Sequence, residues 1–136
     1  MSKIRATIIV PFDAAGKRVQ DAIARTLRES GIDIFRLDDI PPGASWMNAI
    51  KNAIESSDFL VFEVTRHNPN VYYELGYAHA LRKPTILLVR DDAKKPPPSD
   101  LQGHLYVLYD PNNLRSLVER LRKAAERFVD RGRDET

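Results

Sequence analysis

Apolar and polar positions along this chain switch between two periods, and the switches mark the elements. Ala6-Thr7-Ile8-Ile9-Val10 is a continuous apolar run, the pattern of a strand buried on both faces. Pro11-Phe12-Asp13 ends it, and Gly16 falls in a short loop. Val19, Ile23 and Leu27, spaced at four among polar residues, predict a helix that stops at Ser30-Gly31. Ile32 to Leu37 alternates, as a strand near a sheet edge does. Asp38 to Ala44 is a turn-rich loop. Ser45 then caps a helix with Trp46 in its first turn and Met47, Ile50 and Ile54 on one face, ending at Ser56-Ser57-Asp58. Phe59 to Val64 is a second buried run. A helix over 69–82 follows, then a strand over Thr85 to Val89, a polar loop from Asp91 to Gly103 with Pro96 to Pro98, and a short strand at Leu105 to Leu108. Pro111 opens a last helix through about Val129, with Leu114, Leu117, Val118, Leu121, Ala125 and Phe128 inward.

Strands alternating with helices predict an α/β domain: a five-stranded parallel sheet with helices on both faces and right-handed crossovers. Ligands of such sheets bind beyond the carboxyl ends of the strands. That rule gathers Pro11 to Asp13, Leu37 to Gly43, Thr65 to Asn70 and the loop from Arg90 at one rim.

The helix after the third strand carries the unusual residue. Asn68 is a side-chain cap and Pro69 suits the first helical position, while Lys83-Pro84 closes the helix. On a helical wheel Val71, Glu74, Leu75, Ala78 and Leu81 share one arc. A carboxylate inside an apolar arc is costly unless it is paired or has a task. An ion pair to Lys83 or Arg82 is the structural alternative for Glu74. Gly76, inside the same helix, costs about 1 kcal/mol against alanine, and a close backbone approach would explain it.

Composition narrows the chemistry. The 136 residues fit one domain, taken as 1–130 with a flexible tail at 131–136, and 43% hydrophobic residues suffice for a core. The absence of cysteine excludes a disulfide scaffold, cysteine-ligated zinc and thiol catalysis, and fits a reducing compartment, so a cytoplasmic location is expected. No apolar run is long enough to cross a membrane, and the N-terminus lacks a signal-peptide core. A net charge of +2 does not point to nucleic acid, and the basic residues of the last helix (Arg115, Arg120, Arg122, Lys123, Arg127) alternate with Glu119 and Glu126 as on a solvated face. There is no phosphate-binding glycine loop, no nucleophile elbow, and no metal-spaced pair among His67, His79 and His104.

What remains is Glu74 near a rim, beside its own helix N-terminus, with free N–H groups, Arg66 and His67 favouring an anion. Phe12, Trp46, Tyr72 and Tyr73 offer faces for a flat ring. One carboxylate beside an aromatic, phosphate-friendly rim suits cleavage of an N-glycosidic bond, whose oxocarbenium-like transition state it stabilises or captures. Nicotinamide leaves NAD without needing a second acid.

Two stretches carry a family resemblance. Asp38-Asp39-Ile40-Pro41-Pro42-Gly43-Ala44-Ser45-Trp46, with Ala49-Ile50 and Ala53 to Asp58, resembles the BB-loop and following helix of Toll/interleukin-receptor (TIR) domains. Asn68-Pro69-Asn70-Val71-x-Tyr73-Glu74-Leu75-Gly76-x-Ala78-x-Ala80-x-x-Lys83-Pro84 is similar to a motif of bacterial TIR-like proteins and of nucleoside 2-deoxyribosyltransferases. The resemblance implies a flavodoxin-like three-layer fold and a ribosyl-transfer site with Glu74 as the catalytic glutamate. It also implies a substrate pocket shaped by the segment around Phe12 and by Ile40 to Trp46. Pro11, Phe12, Asp13, Asp38, Ile40, Gly43, Trp46, Arg66, Asn68, Asn70 and Tyr73 are the expected substrate-binding residues. The deoxyribosyltransferases usually carry Asp-x-Gly-Thr where this chain has Asn68-Pro69-Asn70, and many relatives have aspartate in place of Glu63, which favours the TIR side. The resulting expectation is an NAD(P)-cleaving N-glycosidase, with NAD as substrate and no cofactor or metal, working as a homo-oligomer without membrane or nucleic acid. A nucleoside or nucleotide 2-deoxyribosyltransferase or N-glycosidase, and a non-catalytic interaction or nucleotide-sensing module, are the alternatives.

Overall fold

The computed structural model describes residues 3–11, 13–95 and 106–134. Its elements are β1 (Arg5–Ile9), α1 (Ala14–Glu29), β2 (Asp33–Arg36), a 3-10 turn (Leu37–Asp39), α2 (Trp46–Ser56), β3 (Phe59–Glu63), α3 (Pro69–Ala80), β4 (Thr85–Arg90), β5 (Tyr106–Tyr109) and α4 (Arg115–Asp134). All four strand pairings are parallel, in the order β2-β1-β3-β4-β5. The chain winds one way from β1 to β2 and the other way from β1 to β3, so the carboxyl ends of β1 and β3 flank a crevice.

The two faces of the sheet bury separate cores. Ile8, Val10, Phe59 and Val61 pack with Val19, Ile23 and Leu27 of α1 and Leu117, Leu121 and Ala125 of α4. Ile9, Leu60, Phe62 and Val64 pack with Ile50 and Ile54 of α2 and Val71, Leu75 and Ala78 of α3. Both faces are covered, which is why the strands read as unbroken apolar runs. Each fully buried Phe, Leu or Ile contributes about 1.5–3 kcal/mol by leaving water. Phe128 stacks on Phe59 with ring centroids 4.1 Å apart, which ties α4 to the centre of the sheet. This is the flavodoxin-like three-layer α/β sandwich that the resemblance implies.

Local chemistry moves several boundaries. Gly16 belongs to the first turn of α1, not to a loop, because Asp13 caps the helix and its Oδ1 accepts from the Gly16 amide at 2.7 Å. A Cβ on Gly16 would run into the Pro11 carbonyl oxygen. Leu37 leaves β2 for the 3-10 turn, where the Asp39 carboxylate accepts from the Arg36 amide at 2.9 Å and bends the chain. The last helix begins at Arg115 rather than Pro111. Asp110 accepts from the Asn112 amide and bridges to Asn113, so a turn occupies Asp110 to Asn113. That helix runs to Asp134, past the Arg131 at which a flexible tail was expected. Leu81 is exposed, because the backbone turns out of the helix at Arg82, a non-glycine residue at φ 58°. Gly76 has open space where a Cβ would stand, so no close approach requires it. Phe12, Pro96 to Pro98 and Leu105 lie outside the described residues.

Candidate functional site

Among the described residues two clefts lie at the carboxyl rim. The first, about 380 Å³, lies on the α2 and α3 side. Its floor is Ile9, Val10 and Leu37, and its far wall is α3, with Asn70, Val71, Tyr73 and Glu74. Trp46 and Met47, in the first turn of α2, close another side. Ser45 caps α2 by accepting from the Asn48 amide, which fixes Trp46 and Met47 at the mouth. Trp46 and Met47 are each 45% exposed and Tyr73 is 57% exposed, so the mouth is an apolar and aromatic collar open to a ligand.

Glu74 lies in the second turn of α3 and is only 8% exposed. Among the described residues its carboxylate has neither a hydrogen bond nor an ion pair. The proposed salt-bridge partners are elsewhere: Lys83 donates to the Glu55 carbonyl at 2.8 Å, and Arg82 sits in the exposed turn. Burial without a cation pushes the Glu74 carboxyl from 4.5 up to about 7. At neutral pH both its ionised and protonated forms are therefore populated.

The mouth of α3 differs from the expectation of free amides. The Asn68 side chain accepts from the Asn70 amide at 2.8 Å and the Val71 amide at 3.4 Å. Those donors are satisfied within the chain, and the positive charge at the rim comes from Arg66. Arg66 pairs with Asp13, the cap of α1, so one carboxylate joins the β1–α1 and β3–α3 loops. His67 bonds the Tyr72 hydroxyl at 3.0 Å and does not line the cleft.

The expected substrate-binding residues thus divide. Pro11, Trp46, Arg66, Asn68, Asn70 and Tyr73 line the cleft with Glu74. Asp13 faces the neighbouring cleft and reaches this one through Arg66. Ile40 packs against the core, and Gly43 sits in the exposed loop at φ 84°; neither lines the cleft. Phe12 and the Asp38 side chain lie outside the described residues. Sequence reasoning missed Met47, assigned to the helix's core face, and Ile9 and Val10, read only as strand residues, whereas Leu37, expected at the rim, lines the cleft. The carboxyl-end rule contained a signal for Ile9 and Val10, which end the first strand.

The second cleft, about 250 Å³, lies on the α1 and α4 side and shares Pro11 and Arg66 with the first. Its lining includes buried Glu63, whose carboxylate accepts from the Tyr109 hydroxyl and from the Thr65 amide, both at 2.6 Å. Burial and that carboxylate push the Tyr109 hydroxyl well above its ordinary value of 10.0. Arg90 pairs with Asp92 at 2.8 Å, and Arg18 donates to the Pro111 carbonyl at 3.0 Å. Among the described residues no group of three or more acidic or histidine side chains is placed to hold a metal ion, and no helix is long and apolar enough to cross a membrane.

Known structures share this architecture at low identity. The CMP N-glycosidase BcmB of Clostridium botulinum matches with a TM-score of 0.65 at 20% identity, covering 86% of this chain and 97% of that one. The TIR domain of the Toll-related receptor TRR-2 of Hydra magnipapillata matches with a TM-score of 0.70 at 19% identity, covering 89% and 97%. The 2-deoxyribosyltransferase of Bacillus psychrosaccharolyticus matches with a TM-score of 0.61 at 17% identity, covering 84% and 95%. At these identities the likeness is one of fold. No curated protein matches the chain. The profile of the TIR-domain family matches residues 9–124, from the last residue of β1 to the middle of α4, and the chain belongs to the TIR-domain family.

Proposed function

We propose that this chain is a TIR-domain N-glycosidase that cleaves the nicotinamide–ribose bond of NAD(P), with Glu74 as the catalytic carboxylate. The observation that carries the reading is Glu74 itself. It is a buried carboxylate without a partner among the described residues, and it faces a cleft collared by Trp46, Met47 and Tyr73. The ionised form stabilises the oxocarbenium that develops as the C1′–N bond breaks and its electron pair moves to the nicotinamide nitrogen. Nicotinamide departs neutral, and water completes the reaction as ADP-ribose and a proton. NAD is then substrate, and no resident cofactor or metal takes part. The exposed collar also suits assembly with a second copy, so activity is expected to grow with protein concentration, in a cytoplasmic setting.

The test is release of nicotinamide from NAD by the purified protein across a concentration series, with Glu74→Gln as control. No release at any concentration, or equal release by the variant, overturns the reading. A second reading has its own observation. A carboxyl titrating at about 7 is partly protonated at neutrality and so is equipped to protonate a neutral leaving base. Hydrolysis or base exchange on a nucleoside or nucleotide follows from that, and the CMP N-glycosidase shares the fold. A panel of nucleosides and nucleotides, with a second free base added, separates the two. Concentration-dependent assembly that survives Glu74→Gln, with no turnover of any substrate, would instead mark a non-catalytic interaction or nucleotide-sensing module.

A further inference from the structure

The cleft on the α1 and α4 side has no task in the reaction above. It meets the Glu74 cleft at Pro11 and Arg66, so the Arg66–Asp13 ion pair is the partition between two compartments of one rim. Among the described residues four cations and three carboxylates line it. The carboxylates are already engaged: Asp13 by Arg66, Asp92 by Arg90, and Glu63 by the Tyr109 hydroxyl and the Thr65 amide. Neither Arg18 nor Lys94 pairs with any of them. Two cationic side chains in a concave site are suited to phosphoryl oxygens. Among the described residues of the lining the one aromatic side chain, Tyr109, is 3% exposed with its hydroxyl tied to Glu63, so it presents no open face for a base. At about 250 Å³ the cleft is smaller than a typical whole-ligand site and fits part of a ligand.

We propose that the second cleft receives the diphosphate and distal ribose of a dinucleotide whose glycosidic bond lies at Glu74, with Arg18 and Lys94 as its phosphate-binding residues and Arg66 at the junction. The assignment rests on the N-glycosidase reading for its orientation. The diphosphate competes with Asp13 for the Arg66 guanidinium, so binding loosens the partition. The substrate class is then a dinucleotide in preference to a mononucleotide.

Two measurements on the intact chain decide it. Calorimetry follows binding of ADP-ribose to the wild type, to the double variant Arg18→Ala/Lys94→Ala, and to Lys94→Arg. In parallel, nicotinamide release is measured from NAD and from nicotinamide mononucleotide, with thermal melts confirming that the variants fold. The double variant, which loses both charged contacts, is expected to bind ADP-ribose at least roughly tenfold more weakly. Lys94→Arg, which keeps the charge, retains binding. KM for NAD rises by a similar factor with kcat unchanged, and the constants for the mononucleotide do not move. The inference is overturned if ADP-ribose fails to bind the wild type, if the double variant binds it equally, or if both substrates shift together. Loss of ADP-ribose binding in the double variant without turnover of either substrate would sink the glycosidase reading while leaving the nucleotide-binding cleft standing.

Discussion

Replacing Glu74 with glutamine removes the charge that the fold buries, and the size of the effect follows from the carboxyl's surroundings. The unfolded chain releases the proton near 4.5, whereas the folded chain holds it to about 7. Below 4.5 both states carry the proton and the wild type has its full stability. Between 4.5 and about 7 the folded state binds more protons than the unfolded one, so stability falls as pH rises. Each pH unit is worth about 1.4 kcal/mol, which puts the whole loss at about 3 kcal/mol. Water entering through the open mouth lowers it, and about 2 kcal/mol is the working figure. Glutamine has no such loss, so Glu74→Gln becomes more stable than the wild type as pH rises. The assay is urea unfolding of both proteins at pH 5 and pH 8. With about 1–2 kcal/mol per molar urea for a domain this size, the midpoint difference should widen by about 1 M between the two pH values. An equal difference at both would mean that the carboxylate is hydrated or paired, and the argument from its isolation would fail. The gain in stability should accompany loss of nicotinamide release, the trade expected of a site that keeps an unfavourable charge for its chemistry.

Other outcomes are equally specific. In the wild type, kcat/KM for NAD should rise with pH through about 7 if ionised Glu74 is the working form; a fall through the same range would favour the acid and hence a neutral leaving base. Gly76→Ala should raise stability by about 0.5–1 kcal/mol in thermal melts, because the site is open and helical. Asn68→Ala should cost about 1 kcal/mol, read by urea unfolding, through loss of the cap on the Asn70 and Val71 amides. Gly16→Ala should cost more than an ordinary surface change, since its Cβ meets the Pro11 carbonyl; circular dichroism melts would register it.

The fold was legible because both faces of the sheet are covered: β1, β3 and β4 announce themselves as apolar runs, and the amphipathic helices between them dictate parallel crossovers. The position of Glu74 was legible for a related reason, since a wheel reports burial directly. What escaped was the chemistry of short polar side chains at element ends. Asp13 draws Gly16 into a helix and Asp110 delays α4, and each does so through local hydrogen bonds that no periodicity records. Met47 escaped because periodicity tells which face of a helix is apolar, not whether that face meets the core or a cleft. The pairing of Arg66 with Asp13 joins residues far apart in sequence, and only the sheet order brings them together.

The central place of β1 carries a consequence for how the chain is made. β1 has only β2 beside it until β3 emerges, and the closure of that gap joins Arg5 to Asp58, 53 positions later. A nascent chain leaving the ribosome therefore holds an apolar strand open while about fifty more residues are synthesised, a matter of seconds. Contacts so distant in sequence also slow the search for the native pairing. The helix that bears Glu74 follows β3 directly, so it has a sheet to dock on only after that pairing is complete. A chain stopped short of β3 would offer cellular quality control an unpaired strand edge and no α3, so the Glu74 cleft exists only once the sheet is paired.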